Sequence, residues 1–145
     1  MYLIKTPFWL RLIYRSCTWR IPTKEKVLYL SFDDGPHPEA TPFVLAELAK
    51  FNAKACFFCI GKNVELYPSI YSEIIAANHT VGNHTQNHMN GWANSNTDYI
   101  EAIQKAQTSI QSNLFRPPYG RIKFSQIKAL SARPDLPQNI VMWDV

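Results

Sequence analysis

The stretch Ser31-Phe32-Asp33-Asp34-Gly35-Pro36 decides how this chain is read. It follows Val27-Leu28-Tyr29-Leu30, a short run of β-branched, aromatic and aliphatic residues that reads as a buried strand. Gly35-Pro36 then breaks the strand. Two adjacent carboxylates are thereby held where a buried strand meets a loop. Neighbouring side chains of an extended chain point to opposite faces, so Asp33 and Asp34 are expected to do different jobs. On its own such a turn needs no function, because aspartate favours turns. The rest of the chain changes that.

Downstream, Thr41-Pro42 reads as N-cap and first residue of a helix, and Val44, Leu48 and Phe51 give it a buried face. Ala53 to Ile60 reads as a second strand, stopped by Gly61. A helix is expected from Pro68 to about Ala77, with Ile70, Ile74 and Ala77 on one face. Thr80-Val81-Gly82 is a short third strand, and Asn96-Thr97 caps a helix to about Ser112 that carries Ile100, Ile103 and Ile110. Leu114-Phe115 is a fourth strand, Phe124 to Ala132 a helix, and Ile140 to Val145 a fifth strand. About five strands alternating with helices make an α/β chain of parallel β-α units, either an open sheet or part of a barrel. No glycine-rich phosphate loop follows the first strand, which excludes a phosphate-loop hydrolase.

At 145 residues, with 46% apolar and 18% charged residues, the composition is that of one globular domain. The net charge of +4 is concentrated before residue 27, in Lys5, Arg11, Arg15, Arg20, Lys24 and Lys26 against Glu25. The remainder is close to neutral, which argues against a nucleic-acid face. Residues 1–24 therefore read as a basic, aromatic segment and 25–145 as the domain. Thr6-Pro7 starts a short helix to about Arg15. Residues 1–22 either lie on the outside of the domain or make a weak membrane-surface contact, their basic groups drawn to anionic lipid. No transmembrane run or secretory signal is legible. Cys56 and Cys59 form a Cys-x-x-Cys within an expected strand, where positions three apart face opposite sides, so neither a redox nor a metal role is expected.

Three polar clusters follow strands: Asp33-Asp34 the first, Gly82-Asn83-His84-Thr85-Gln86-Asn87-His88 the third, and Arg116-Pro117-Pro118-Tyr119-Gly120 the fourth. In a parallel sheet or barrel they share the carboxyl-terminal rim, where α/β proteins place their sites. His84 and His88 are four apart and, on one helical turn, would share a face and ligate one ion. With one carboxylate they complete a three-ligand set that leaves positions open, the pattern of a catalytic metal. His37 in the turn and His79 before a strand lack paired ligand spacing and are read as structural.

Ser-Phe-Asp-Asp-Gly-Pro, His-Thr-x-x-His and Arg-Pro-Pro-Tyr-Gly, in this order, resemble the first three motifs of the NodB-type polysaccharide deacetylases, carbohydrate esterase family four. The resemblance extends to Ala53-Lys54-Ala55-Cys56-Phe57-Phe58 and to His79-Thr80-Val81-Gly82-Asn83. It implies a partial distorted β/α barrel and hydrolysis of N-acetyl groups on an acetylated, N-acetylglucosamine-type glycan. It also implies Asp33 as general base, Asp34, His84 and His88 as ligands of a divalent metal, usually Zn2+, and Arg116 as the partner that orients Asp33. The backbone N–H of Tyr119 would help bind the oxyanion. An extracytoplasmic or cell-envelope setting is implied as well.

The chain departs from the family at its end. The family's general acid lies in a later Leu-x-His motif, tuned by an Asp-Trp motif; Trp143-Asp144-Val145 resembles the approach to that segment, and neither motif follows. Asp144 is a weak substitute. The expectation is an incomplete copy, poorly soluble and nearly inactive alone, with unpaired apolar edges at the first strand and at Ile140–Val145. The rival readings are an inactive carbohydrate-binding fragment, an O-acetyl (xylan-type) esterase and a non-heme iron oxygenase.

Overall fold

The computed structural model describes residues 6–143. Helix α1 (Phe8–Ile13) leads into β1 (Cys17–Thr18), and β2 (Ser31–Gly35) passes through α2 (Ala40–Lys50) to β3 (Cys56–Cys59). Helices α3 (Gly61–Leu66) and α4 (Pro68–Ala76) carry the chain to β4 (Thr80–Asn83). Helix α5 (Asn96–Ile110) leads to β5 (Leu114–Phe115), and α6 (Phe124–Ser131) to β6 (Asn139–Val141). All pairings are parallel, in a six-stranded sheet of order β1-β6-β5-β4-β3-β2. Parallel neighbours need a crossover between them, and the helices supply it. The expected α/β alternation is therefore present, with one strand more than expected.

α5 is the central helix because its apolar residues serve both halves of the core. Ile100 and Ile103 join Tyr99, Phe115, Leu130 and Ile140, while Ala106 and Ile110 join Leu48, Phe57, Val64 and Ile74. Ile74 and Ile103 are fully buried, each worth about 1.5–3 kcal/mol of transfer free energy. Where α3 crosses α5, a Cβ on Gly61 would stand 2.9 Å from the Ala106 backbone, so the two helices meet only because residue 61 has none. Ser95, one residue before the expected cap, accepts the Asp98 N–H at 3.1 Å and starts α5.

Several expectations are corrected. Val27–Leu30 is not a buried strand: the ladder begins at Ser31, and Leu28 is 87% exposed. Among the described residues β2 has a strand neighbour on one side only, and the run before it is tied to that neighbour where Leu30 O accepts the Cys56 N–H. Phe51 is 79% exposed, because α2 ends at Lys50 and Phe51 lies off the helical face at its C-cap. Thr41 lies inside α2 rather than capping it; its hydroxyl accepts the His37 N–H at 2.8 Å.

β6, unlike β2, is not an edge. It pairs with β5 on one side and, through Cys17–Ile140 and Thr18–Val141, with β1 on the other. A two-residue strand carries no periodicity to read, which is why Cys17–Thr18 was not foreseen. Met142 and Trp143 lie beyond β6, and Asp144 and Val145 lie outside the described residues.

Candidate active site

The carboxyl ends of β2, β4 and β5 converge, as the sequence predicts, and a bulge separates the two aspartates. Asp33 pairs with Phe58 and Gly35 with Cys59, so Asp34 is the extra residue of β2, with φ of 68°. Bulges re-aim side chains, and aspartate tolerates the left-handed region better than most residues. Asp33 reaches Arg116, its Oδ1 2.7 Å from Nη1. Asp34 reaches the histidines instead, its Oδ1 3.4 Å from His84 Nε2 and 3.2 Å from His88 Nε2.

His84 and His88 do not sit on a helical turn. They flank a loop in which Thr85 and His88 take positive φ, 64° and 53°, and this brings the rings to 5.0 Å between centroids. Asn83 builds the loop from the end of β4: its side chain donates to Ile103 O and Gln107 Oε1 on α5 and accepts the Thr85 N–H. Thr85 Oγ1 in turn accepts the Met89 N–H.

His84 Nδ1 lies 2.6 Å from Arg116 O. A carbonyl only accepts, so Nδ1 donates this bond, and Nε2 is the ring atom that faces the Asp34 carboxylate. An outer hydrogen bond on the far nitrogen is how metal-ligating histidines are oriented. One ligand atom each from Asp34, His84 and His88 lie within 4.8 Å of one another. The donor set therefore fits a divalent metal. The His84 contact, ahead of burial's opposing effect, holds the Asp34 carboxyl below its ordinary range, and burial lowers the His88 imidazole toward its neutral, ligating form.

Arg116 is almost fully buried and fully engaged. Nη1 donates to Ser31 Oγ at 2.8 Å and to Asp33 Oδ1, Nε to Val141 O, and Nη2 to Met142 O. The guanidinium lies 4.0 Å from the centre of the Phe58 ring. Tyr119 has φ of 60° in the turn after β5, and its ring stands 4.5 Å from that of His88. All six residues singled out from the sequence thus meet on one rim. The supports Ser31, Phe58, Asn83 and Thr85 were missed. All four lie within the motif stretches quoted above, and Asn83 carried a further signal, an amide at the end of an apolar strand.

The other histidines have backbone partners. His37 Nδ1 accepts from the Glu39 and Ala40 N–H groups, and His79 Nδ1 from the Ala55 N–H. Burial pushes the thiols of Cys56 and Cys59 up to about 11 and about 12.

Comparison with known proteins agrees with this geometry. A family profile described as polysaccharide deacetylase matches residues 20–133. A peptidoglycan-N-acetylglucosamine deacetylase of Bacillus cereus is 35% identical over 116 residues, 77% of this chain and 54% of the relative. A chitooligosaccharide deacetylase of Azorhizobium caulinodans is 36% identical over 108 residues, 70% of this chain and 51% of the relative. The crystal structure of the Bc1960 peptidoglycan N-acetylglucosamine deacetylase, bound to N-hydroxy-4-(naphthalen-1-yl)benzamide, superposes with a TM-score of 0.83 at 33% identity, over 95% of this chain and 65% of that one. The chain spans about half the length of the curated relatives it matches. With the profile covering most of its length and the same fold in a solved relative, the chain belongs to the polysaccharide deacetylase family.

Proposed function

We propose that this site serves metal-dependent hydrolysis of N-acetyl groups on an N-acetylglucosamine-type glycan, peptidoglycan or chitin-like, outside the cytoplasm. The observation that carries the reading is the division of labour between adjacent carboxylates: Asp33 is held by Arg116 at 2.7 Å, while Asp34 faces His84 and His88. Two imidazoles and one carboxylate suit Zn2+. A metal held by Asp34, His84 and His88 supplies Lewis-acid polarisation of the acetyl carbonyl and a water of lowered pKa.

The chain's own groups supply the base and the oxyanion contact, and the family resemblance places the acid that protonates the departing amine in a later Leu-x-His motif. Asp33 takes the proton of the attacking water, and Arg116 keeps its carboxylate oriented for that task. The Tyr119 N–H donates to the oxygen on which negative charge develops, a contact worth most in the transition state. His84 Nδ1–H donates to Arg116 O, which ties the metal group to the residue that positions the base.

The test exploits neighbouring positions with different expected phenotypes. In a chain extended through the later motifs, Asp33→Asn should retain one divalent ion per chain and lose acetate release from an N-acetylated chitooligosaccharide. Asp34→Asn should lose the ion itself. Equal metal loss in both variants, or acetate release undiminished by Asp33→Asn, overturns the assignment.

A further inference from the structure

A large aromatic side chain outside the site described above is held rigid by its polar edge while its surface stays open. Trp92, in the 3-10 turn Gly91–Ala93 that follows the histidine loop, is 58% exposed. Its indole N–H donates to Ile122 O at 3.3 Å, and its backbone N–H donates to Asn90 Oδ1 at 3.0 Å. The turn is bound to the 121–123 segment at two further points. Lys123 Nζ donates to Asn94 O at 2.7 Å, and a Cβ on Gly91 would stand 2.4 Å from Arg121 O. Glycine is required there so that the two backbones can touch.

Trp92 is also joined to the candidate metal group by a continuous strip. The Arg121 guanidinium lies 5.3 Å from the Trp92 ring centre and 5.9 Å from that of Tyr119, and the Tyr119 ring lies 4.5 Å from that of His88. Tyr119 is 57% exposed. A single exposed aromatic needs no explanation. A fixed strip of aromatic faces and a guanidinium, leading from the rim to the metal group, does. Aromatic rings combine an apolar face with low conformational cost of immobilisation, and guanidinium adds directional donors beside them. The ligand that matches is a pyranose: apolar C–H faces stack on the rings, and the hydroxyl rim accepts from Arg121. Three successive contacts, Trp92 to Arg121, Arg121 to Tyr119 and Tyr119 to His88, outrun one six-membered sugar, so the strip suits a polymer rather than a monosaccharide.

We propose that Trp92 and Arg121 form an outer glycan subsite, which stacks a sugar ring neighbouring the one whose acetyl group lies at the metal. The proposal rests on the deacetylase reading of the site and adds a determinant of chain-length preference to it.

The test is calorimetric titration of the full 145-residue chain, loaded with Zn2+, with N-acetylglucosamine and with its β-linked tetramer. The wild type should bind the tetramer more tightly than the monosaccharide. Trp92→Ala should weaken tetramer binding about tenfold or more, the usual effect of truncating an anchoring aromatic. It should leave monosaccharide affinity, metal stoichiometry and Tm unchanged, and Trp92→Tyr should retain most of the tetramer affinity. Equal tetramer affinity in wild type and Trp92→Ala overturns the subsite and leaves the deacetylase reading standing. Loss of metal or a lowered Tm in Trp92→Ala shows a structural role and overturns it as well. A wild type that binds its metal but neither sugar overturns both readings.

Discussion

Gly82→Ala tests whether the strand beneath the site positions its base. Gly82 lies directly opposite Phe58 in the β3–β4 ladder. A Cβ at residue 82 would stand 2.5 Å from both Cδ1 and Cε1 of Phe58 and 3.3 Å from Leu114 Cβ. Carbon atoms prefer about 3.5–4.0 Å, so the ring must move by roughly 1 Å. Phe58 is 1% exposed, and Arg116 lies against its ring at 4.0 Å. Displacing the ring therefore disturbs the guanidinium that holds Asp33. Overpacking of this kind costs about 1–3 kcal/mol. At this chain length that lowers Tm by about 3–10 °C. A base misplaced by about 1 Å costs on the order of 10²-fold in rate.

The assay pairs thermal unfolding with acetate release and metal stoichiometry. Gly82→Ala should lower Tm and rate while keeping the metal, because none of the atoms it crowds is a candidate ligand. In the double variant Gly82→Ala/Phe58→Leu the smaller side chain should recover stability. The rate should stay low, because the aromatic face under Arg116 is gone. A single variant with wild-type Tm and rate would refute the packing argument. A double variant as active as wild type would show that Arg116 does not depend on the Phe58 ring.

Replacing His84 or His88 by Ala should abolish tight metal binding, since two remaining ligands make a weak site; unchanged stoichiometry by metal analysis would contradict the ligand set. All three thiols are raised by burial, Cys17 and Cys56 to about 11 and Cys59 to about 12, so the native chain should resist alkylation at pH 8 and react fully once unfolded. The folded values lie above those of the unfolded chain, so the thiol contribution to stability is complete below about pH 9 and lost as pH rises toward 11–12, which alkaline denaturation midpoints of the wild type and a Cys59→Ala variant would check. Helix α1 exposes Phe8, Trp9, Leu12 and Ile13 beside Arg11 and Arg15, and we propose it as a weak membrane-surface contact. The chain should then cosediment with anionic vesicles at low salt, less so with neutral ones, and lose the difference in Leu12→Glu; no difference between vesicle types would rule the contact out.

The elements that were legible in the sequence are those whose signal is local. Ile100, Ile103 and Ile110 announce α5 by spacing alone, and Leu114-Phe115 followed by prolines marks β5 to the residue. The elements misread depend on partners far along the chain. Val27–Leu30 has the composition of a buried strand, but burial needs a neighbour on each side, and β2 is the sheet's edge. Cys17–Thr18 has no strand pattern at all and becomes a strand because β6, more than a hundred residues later, offers it an open edge. Propensity in a sheet measures fit to a surface, and the surface is not written locally.

The site shows the same division at finer scale. Residue types and order drew attention to Asp33, Asp34, His84 and His88, and the resemblance to the deacetylase motifs assigned roles to them and to Arg116 and Tyr119. How they meet was not readable. The spacing of the histidines matches a helical turn, yet the loop reaches the same end with left-handed Thr85 and His88, stabilised by an asparagine whose amide donates to a different helix. Alternation along a strand predicted opposite roles for the two aspartates, and the bulge at Asp34 is what produces them: it lets Asp33 stay in the ladder beside Arg116 while its neighbour leaves the ladder for the imidazoles. Without the bulge, Asp34 would occupy the ladder position that Gly35 takes opposite Cys59. A residue at positive φ is thus what gives the two carboxylates of a common Asp-Asp-Gly turn different partners, side by side.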